Sequence, residues 1–138
     1  MKPLAMMLFA LLWAVTAPAA TQDGNGLACD PQGSQMELNT CAALQLSAAD
    51  DALNATWREV LAQIGNRPMA IAKLKAAQRL WIQLRDADME AQFPLEKGQD
   101  ARVEYGSIYP MEFANAKAKL TRERAHYLRA TWLEDSAH

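Results

Sequence analysis

The feature that most constrains this chain is the stretch Leu74-Lys75-Ala76-Ala77-Gln78-Arg79-Leu80-Trp81-Ile82-Gln83-Leu84-Arg85-Asp86-Ala87-Asp88. At about 100° per residue, Ile71, Leu74, Ala77, Trp81 and Leu84 fall in one sector, the signature of an amphipathic helix. Lys73, Arg79 and Gln83 lie outside that sector, whereas Gln78 and Arg85 lie inside it. An amide or guanidinium withdrawn from water without partners costs several kcal/mol. Neighbouring helices are therefore expected to offer acceptors to this face, and the rest of the fold to be organised around it.

Local signals place those neighbours. Ser34-Gln35-Met36-Glu37 reads as a capping box opening a long helix, and Gly65-Asn66 as its left-handed stop. Its stripe is Ala42, Leu46, Ala49, Leu53, Trp57, Val60 and Ile64, with Asn39 and Asp50 in the same sector and Ser47 as a candidate break. Asp50 is the expected partner of Arg85; the alternative is that both are half-exposed and hydrated. Asn66-Arg67-Pro68 restarts the chain as a second helix with proline in its first turn. So short a loop makes the first two helices antiparallel neighbours. Phe93-Pro94 ends the second helix, and residues 93–109 read as a loop marked by Gly98 and Gly106. Tyr109-Pro110 opens a third helix running to about Leu133. It carries one apolar line through Met111, Ala114, Ala118, Ala125 and Trp132, and another through Phe113, Leu120 and Tyr127. A helix apolar on two faces is either wrapped by neighbours or left with a surface for a partner. No strand pattern persists and no repeat is visible. The expected fold is all-α, a small bundle of about three long antiparallel helices.

Residues 1–20 read as a secretory signal peptide: basic Lys2, an apolar run from Leu4 to Val15, and the small residues Ala17-Pro18-Ala19. The run is too short to span a bilayer. Gly26-Leu27-Ala28-Cys29 has the look of a lipidation site, but it lies too far from the apolar run and Asp23, Gly24 and Asn25 intervene. The chain is thus read as periplasmic or secreted and not as a lipoprotein. Residues 21–33 form an irregular leader, and residues 34–138 one helical domain, a suitable length for a single core. Without Lys2, thirteen basic side chains face sixteen acidic ones, the opposite of a nucleic-acid footprint.

Cys29 and Cys41 can form only one pair in an oxidising compartment, a bond that stabilises by about 2–3 kcal/mol; two free thiols are the alternative. Their spacing is not that of a redox CxxC pair. His126 and His138 stand at no ligand spacing, so no metal or cofactor is expected. Ser34, Ser47, Ser107 and Ser136 lack a histidine pattern. Asp86 and Glu90 share a helical face, as a glycosidase pair would, but such pairs on helix surfaces are ordinarily solvated. The chain is read as non-catalytic. From Asp86 to Glu104, the carboxylates of Asp86, Asp88, Glu90, Glu96, Asp100 and Glu104 face only Lys97 and Arg102. That excess is the candidate partner-binding surface.

Several pieces of the chain together resemble the LprI-like family of exported domains, named after a lysozyme inhibitor. They are Cys29, Gln35-Met36-Glu37-Leu38-Asn39-Thr40-Cys41, Ala49-Asp50 with Leu53-Asn54, Leu74, Ala77-Gln78-Arg79 with Trp81, and Arg85-Asp86. They continue with Gly106-Ser107-Ile108, Met111, and Leu120-Thr121 followed by Arg124. The resemblance implies a compact helical domain outside the cytoplasm. Arg85 with Gln78 and Trp81 can be read as an anion site, but the favoured reading is a structural polar layer fixing helix register, with Asn39, Asp50, Asn54, Gln78, Trp81, Arg85, Thr121 and Arg124 as its members. Relatives often carry two more cysteines where this chain has Met89 and Ala116. Their joint absence is what a missing second bridge would leave, and it strengthens the pairing of Cys29 with Cys41. Tyr105 also replaces a glycine that commonly precedes Gly106. The resemblance implies an exported protein-binding domain with a lysozyme-type cell-wall hydrolase as partner. The alternative is an envelope-maintenance protein acting through self-association of the third helix.

Overall fold

The computed structural model describes residues 29–134; the expected signal peptide and most of the leader lie outside the described residues. Three long helices and one short one follow in order: α1 (Gln35–Ile64), α2 (Pro68–Gln92), α3 (Ala101–Tyr105) and α4 (Tyr109–Arg129). A π-helical turn, Ala130–Glu134, extends α4. The described residues contain no strand.

The local signals act as the chemistry predicts. Ser34 accepts from the Glu37 backbone while the Glu37 carboxylate accepts from the Ser34 backbone N–H at 2.7 Å. α1 then runs unbroken through Ser47 to Gly65, whose φ of 61° is open to glycine and strained for other residues. Pro68 opens α2, and Phe93 closes it with its backbone N–H on the Met89 carbonyl. Cys29 and Cys41 form a disulfide, with their Cα atoms 4.8 Å apart, that ties the leader to the second turn of α1.

The helices run up, down, up, so consecutive long helices are antiparallel and α1 and α4 are parallel. At one end Asn39 donates to the Ser107 carbonyl at 3.1 Å. At the other, the Arg129 guanidinium meets Glu59 at 3.1 Å and Thr56 at 3.3 Å. α1 against α4 is the most extensive interface. It is lined by Ala42 and Ala49 from one helix and Ala114, Ala118 and Ala125 from the other, all buried. Residues without bulk let two helix axes approach closely. The aliphatic core (Leu53, Val60, Ile64, Leu74, Ala125 and Leu128) fills the end where α1 stops and α2 starts, with Trp57, Trp81 and Trp132 packed on it.

This arrangement corrects the expectation that α2 organises the fold. α2 buries only Leu74 and Met89 and rests on the α1–α4 pair. Its inward line is Ile71, Leu74, Gln78, Trp81, Arg85 and Met89, all buried or half-buried, whereas Leu84 is 60% exposed. The inner face is thus rotated away from Ala77 and Leu84, because the α4 side chains that meet it are Lys117 and Arg124 rather than aliphatic ones. The third long helix buries Ala114, Ala118, Ala125 and Leu128, and Phe113 and Lys117 line the α2 side, but its second apolar line is covered only in part, since Tyr127 is 54% exposed.

Candidate functional site

Between α2 and α4, Gln78 accepts a 2.9 Å hydrogen bond from Nε of Arg124. The Trp81 ring lies within cation–π reach of two guanidinium groups, Arg85 at 5.2 Å and Arg124 at 5.6 Å. Arg124 also lies 5.3 Å from the Tyr127 ring, and burial lowers its pKa, an effect the nearby Tyr127 opposes.

Arg85 does not pair with Asp50. Its Nε and Nη2 both reach the Asp86 carboxylate, at 3.0 and 2.9 Å, where Lys117 of α4 joins at 3.4 Å. Asp50 is half-buried and makes no ion pair among the described residues. The reason is geometric: α2 rests only sparingly on either neighbour, and the carboxylate one residue away lies within reach at 2.9 Å. Burial disfavours the Asp86 anion, but the Arg85 and Lys117 charges and hydrogen bonds outweigh it and hold its pKa below the ordinary value.

The other polar positions do not join these in a single layer. Asn39 binds Gln35 and the Ser107 carbonyl at the bundle end. Asn54 is exposed. Thr121 is fully buried and its hydroxyl has no hydrogen-bond partner among the described residues.

The acidic segment divides in two. Asp100 caps α3 by accepting from the Arg102 and Val103 backbones, Glu104 accepts from Gln99, and Asp86 serves the α2–α4 contact. The carboxylates of Asp88, Glu90 and Glu96 are exposed and have no side-chain partner among the described residues. The expected loop thus contains a helix: α3, only five residues long, is too short for periodicity to reveal.

Beside these free carboxylates lies a groove of about 450 Å³. One wall is the α2 column of Asp86, Glu90 and Phe93 above buried Met89, and the other is Tyr109, Phe113 and Lys117 at successive i, i+4 positions of α4. Pro94 and Leu95 close one end. Phe93 packs edge-on against Tyr105 and Tyr109, with centroids 5.8 and 5.4 Å away, and the Tyr105 hydroxyl donates to the Pro94 carbonyl at 2.5 Å. Burial raises the Tyr105 pKa, as do the neighbouring Glu104 and Tyr109. Tyr105 thereby clasps the turn after α2. Sequence reasoning missed this groove, because it exists only where Tyr109, Phe113 and Lys117 of α4 stand beside Asp86, Glu90 and Phe93 of α2. Among the described residues no cluster of His, Cys, Asp and Glu could hold a metal ion, and no helix is long and apolar enough to cross a membrane.

The chain is similar to an uncharacterised protein of Rhizobium meliloti, 38% identical, the match covering 86% of this chain and 88% of that protein. A crystal structure of a DUF1311 family protein from Pseudomonas putida shares the fold, with a TM-score of 0.60 at 24% identity, over 76% of this chain and 99% of that one. The family profile described as "Lysozyme inhibitor LprI" matches residues 28–128, from the residue before the disulfide to the last core leucine of α4. The chain belongs to the LprI family.

Proposed function

We propose that this protein is an exported, non-catalytic binding domain, processed at a signal peptide into the periplasm or medium, that docks on a basic lysozyme-type cell-wall hydrolase. The observation that carries the reading is the set of exposed carboxylates without a side-chain partner among the described residues, Asp88, Glu90 and Glu96, in the last turns of α2 and the segment that follows it. Lysozymes are typically basic, and an unneutralised acidic surface speeds encounter with such a partner and selects its orientation. The family description supplies the partner class. The test is clearing of a cell-wall suspension by added basic lysozyme, with and without the exported protein. Slowed clearing at stoichiometric ratios supports the reading; unchanged clearing under tight-binding concentrations contradicts it.

A second reading, self-association, is favoured by one observation. Met69, Leu80 and Leu84 of α2 are 70, 66 and 60% exposed and lie on one side of the helix. The sticky surface in this reading belongs to α2 rather than to the third long helix. Sedimentation equilibrium separates the two: a dimer that does not affect lysozyme supports self-association.

A further inference from the structure

The groove between the last turns of α2 and the first turns of α4 contains its own model of an occupant. At one end the Lys117 ammonium lies 5.9 Å from the Phe113 ring and 3.4 Å from the Asp86 carboxylate. A cation against an aromatic wall beside a carboxylate is a favourable combination in a partly desolvated cleft. The other end repeats the wall and the carboxylate without the cation: Glu90 lines the same groove near Phe93 and Tyr109 and pairs with no positive group among the described residues.

We propose that this open half of the groove receives one arginine side chain of a basic partner protein, its guanidinium on Glu90 and its aliphatic stem along Phe93, Tyr109 and Phe113. This rests on, and deepens, the reading that the domain binds a basic lysozyme. Charge decides the class of occupant. An anion would face the unpaired Glu90, Lys117 being already engaged by Asp86, and an apolar side chain would desolvate Glu90 and leave it unpaired, a costly outcome. A guanidinium does neither, since its planar fork pairs with a carboxylate while its faces stack on aromatic rings. The groove's size lies within the range of pockets that enclose small ligands.

The experiment has two arms, both on the exported protein. In the first, acetyl-Gly-Arg-Gly-amide is titrated at millimolar concentration and followed by side-chain and backbone NMR shifts, with acetyl-Gly-Glu-Gly-amide as comparison. The arginine peptide is expected to move Glu90 and Phe113 resonances saturably, and the glutamate peptide to leave them in place. In the second, affinity for a basic lysozyme is measured calorimetrically. Glu90→Gln is expected to weaken it by about tenfold, as loss of one partner of an interfacial charge pair does. Asp51→Asn, an exposed carboxylate of α1 outside the acidic bundle end and not lining the groove, is expected to change it by less than about twofold at moderate salt, as an exposed charge does. Arginine peptide that moves nothing in the groove overturns the proposal. So does lysozyme binding that is indifferent to Glu90→Gln, although the lysozyme reading itself would then stand. Peptide seated in the groove with no lysozyme binding leaves the arginine site standing and removes the lysozyme reading.

Discussion

Gln78 and Arg124 join two helices that otherwise touch sparingly: the amide oxygen on α2 accepts from Nε of the guanidinium on α4 at 2.9 Å. Arg124 has no carboxylate partner among the described residues and relies on this amide and on the Trp81 and Tyr127 rings. Gln78→Ala should therefore cost about 1–2 kcal/mol, toward the lower part of the range for a hydrogen bond to a charged group because the site is only half-buried. In a double-mutant cycle with Arg124→Ala, urea unfolding should show a positive coupling energy. Strictly additive losses would mean that the two side chains are independent.

The rotated face of α2 makes a contrasting pair of predictions. Leu74 is 5% exposed, so Leu74→Ala should destabilise by about 2–4 kcal/mol. Leu84, once placed on the same stripe by periodicity, should tolerate glutamine within about 0.5 kcal/mol. Equal losses on thermal melting would restore the original phase.

That misplaced leucine marks where the sequence stops being legible. Ser34, Glu37, Gly65, Pro68 and Phe93 signalled their boundaries because capping and turn chemistry involve only residues a few positions apart. The cysteine pairing was legible because only one intramolecular pair was available. Which way α2 turns depends on Lys117 and Arg124, more than thirty residues away in the chain. A helical wheel drawn from Leu74 to Asp88 cannot contain them. The same reason hid the Asp86 contact of Lys117 and the groove: each requires knowing that α2 and α4 run antiparallel side by side. α1 and α4 being the dominant pair was equally hidden, since Ala42, Ala49, Ala114, Ala118 and Ala125, which carry little hydrophobic signal, are buried along these two helices.

Thr121 offers a stabilising substitution. Its hydroxyl is fully buried and unpartnered among the described residues, a state that costs about 1–3 kcal/mol. Valine keeps the shape and removes the unsatisfied group, so Thr121→Val should raise the melting temperature by a few degrees. A lower melting temperature would show that the hydroxyl has a partner in solution.

Acid should weaken the fold through two carboxylates. Glu37 is held below its ordinary pKa by the side-chain and backbone hydrogen bonds of Ser34. Asp86 is likewise lowered, although burial acts the other way, because Arg85 and Lys117 prevail. A carboxylate with a depressed folded pKa contributes stability that is fully present above its unfolded pKa. That contribution is lost as pH falls through the folded value, so the decline begins near about pH 4–5 and continues below it. Urea midpoints measured from pH 7 downward should fall less steeply in this window for Asp86→Asn than for the wild type. Parallel curves would mean that the Asp86 contact is not ionic in solution.

The central claim, that unpaired carboxylates at one end of the bundle recognise a basic hydrolase, is tested most directly by calorimetry against a basic lysozyme at low and high ionic strength. Wild type and an Asp88→Asn/Glu90→Gln/Glu96→Gln triple variant should be compared. The account predicts that wild-type affinity falls with added salt, and that the triple variant binds more weakly with a flatter salt dependence. Equal affinity and equal salt dependence for the two proteins would contradict it.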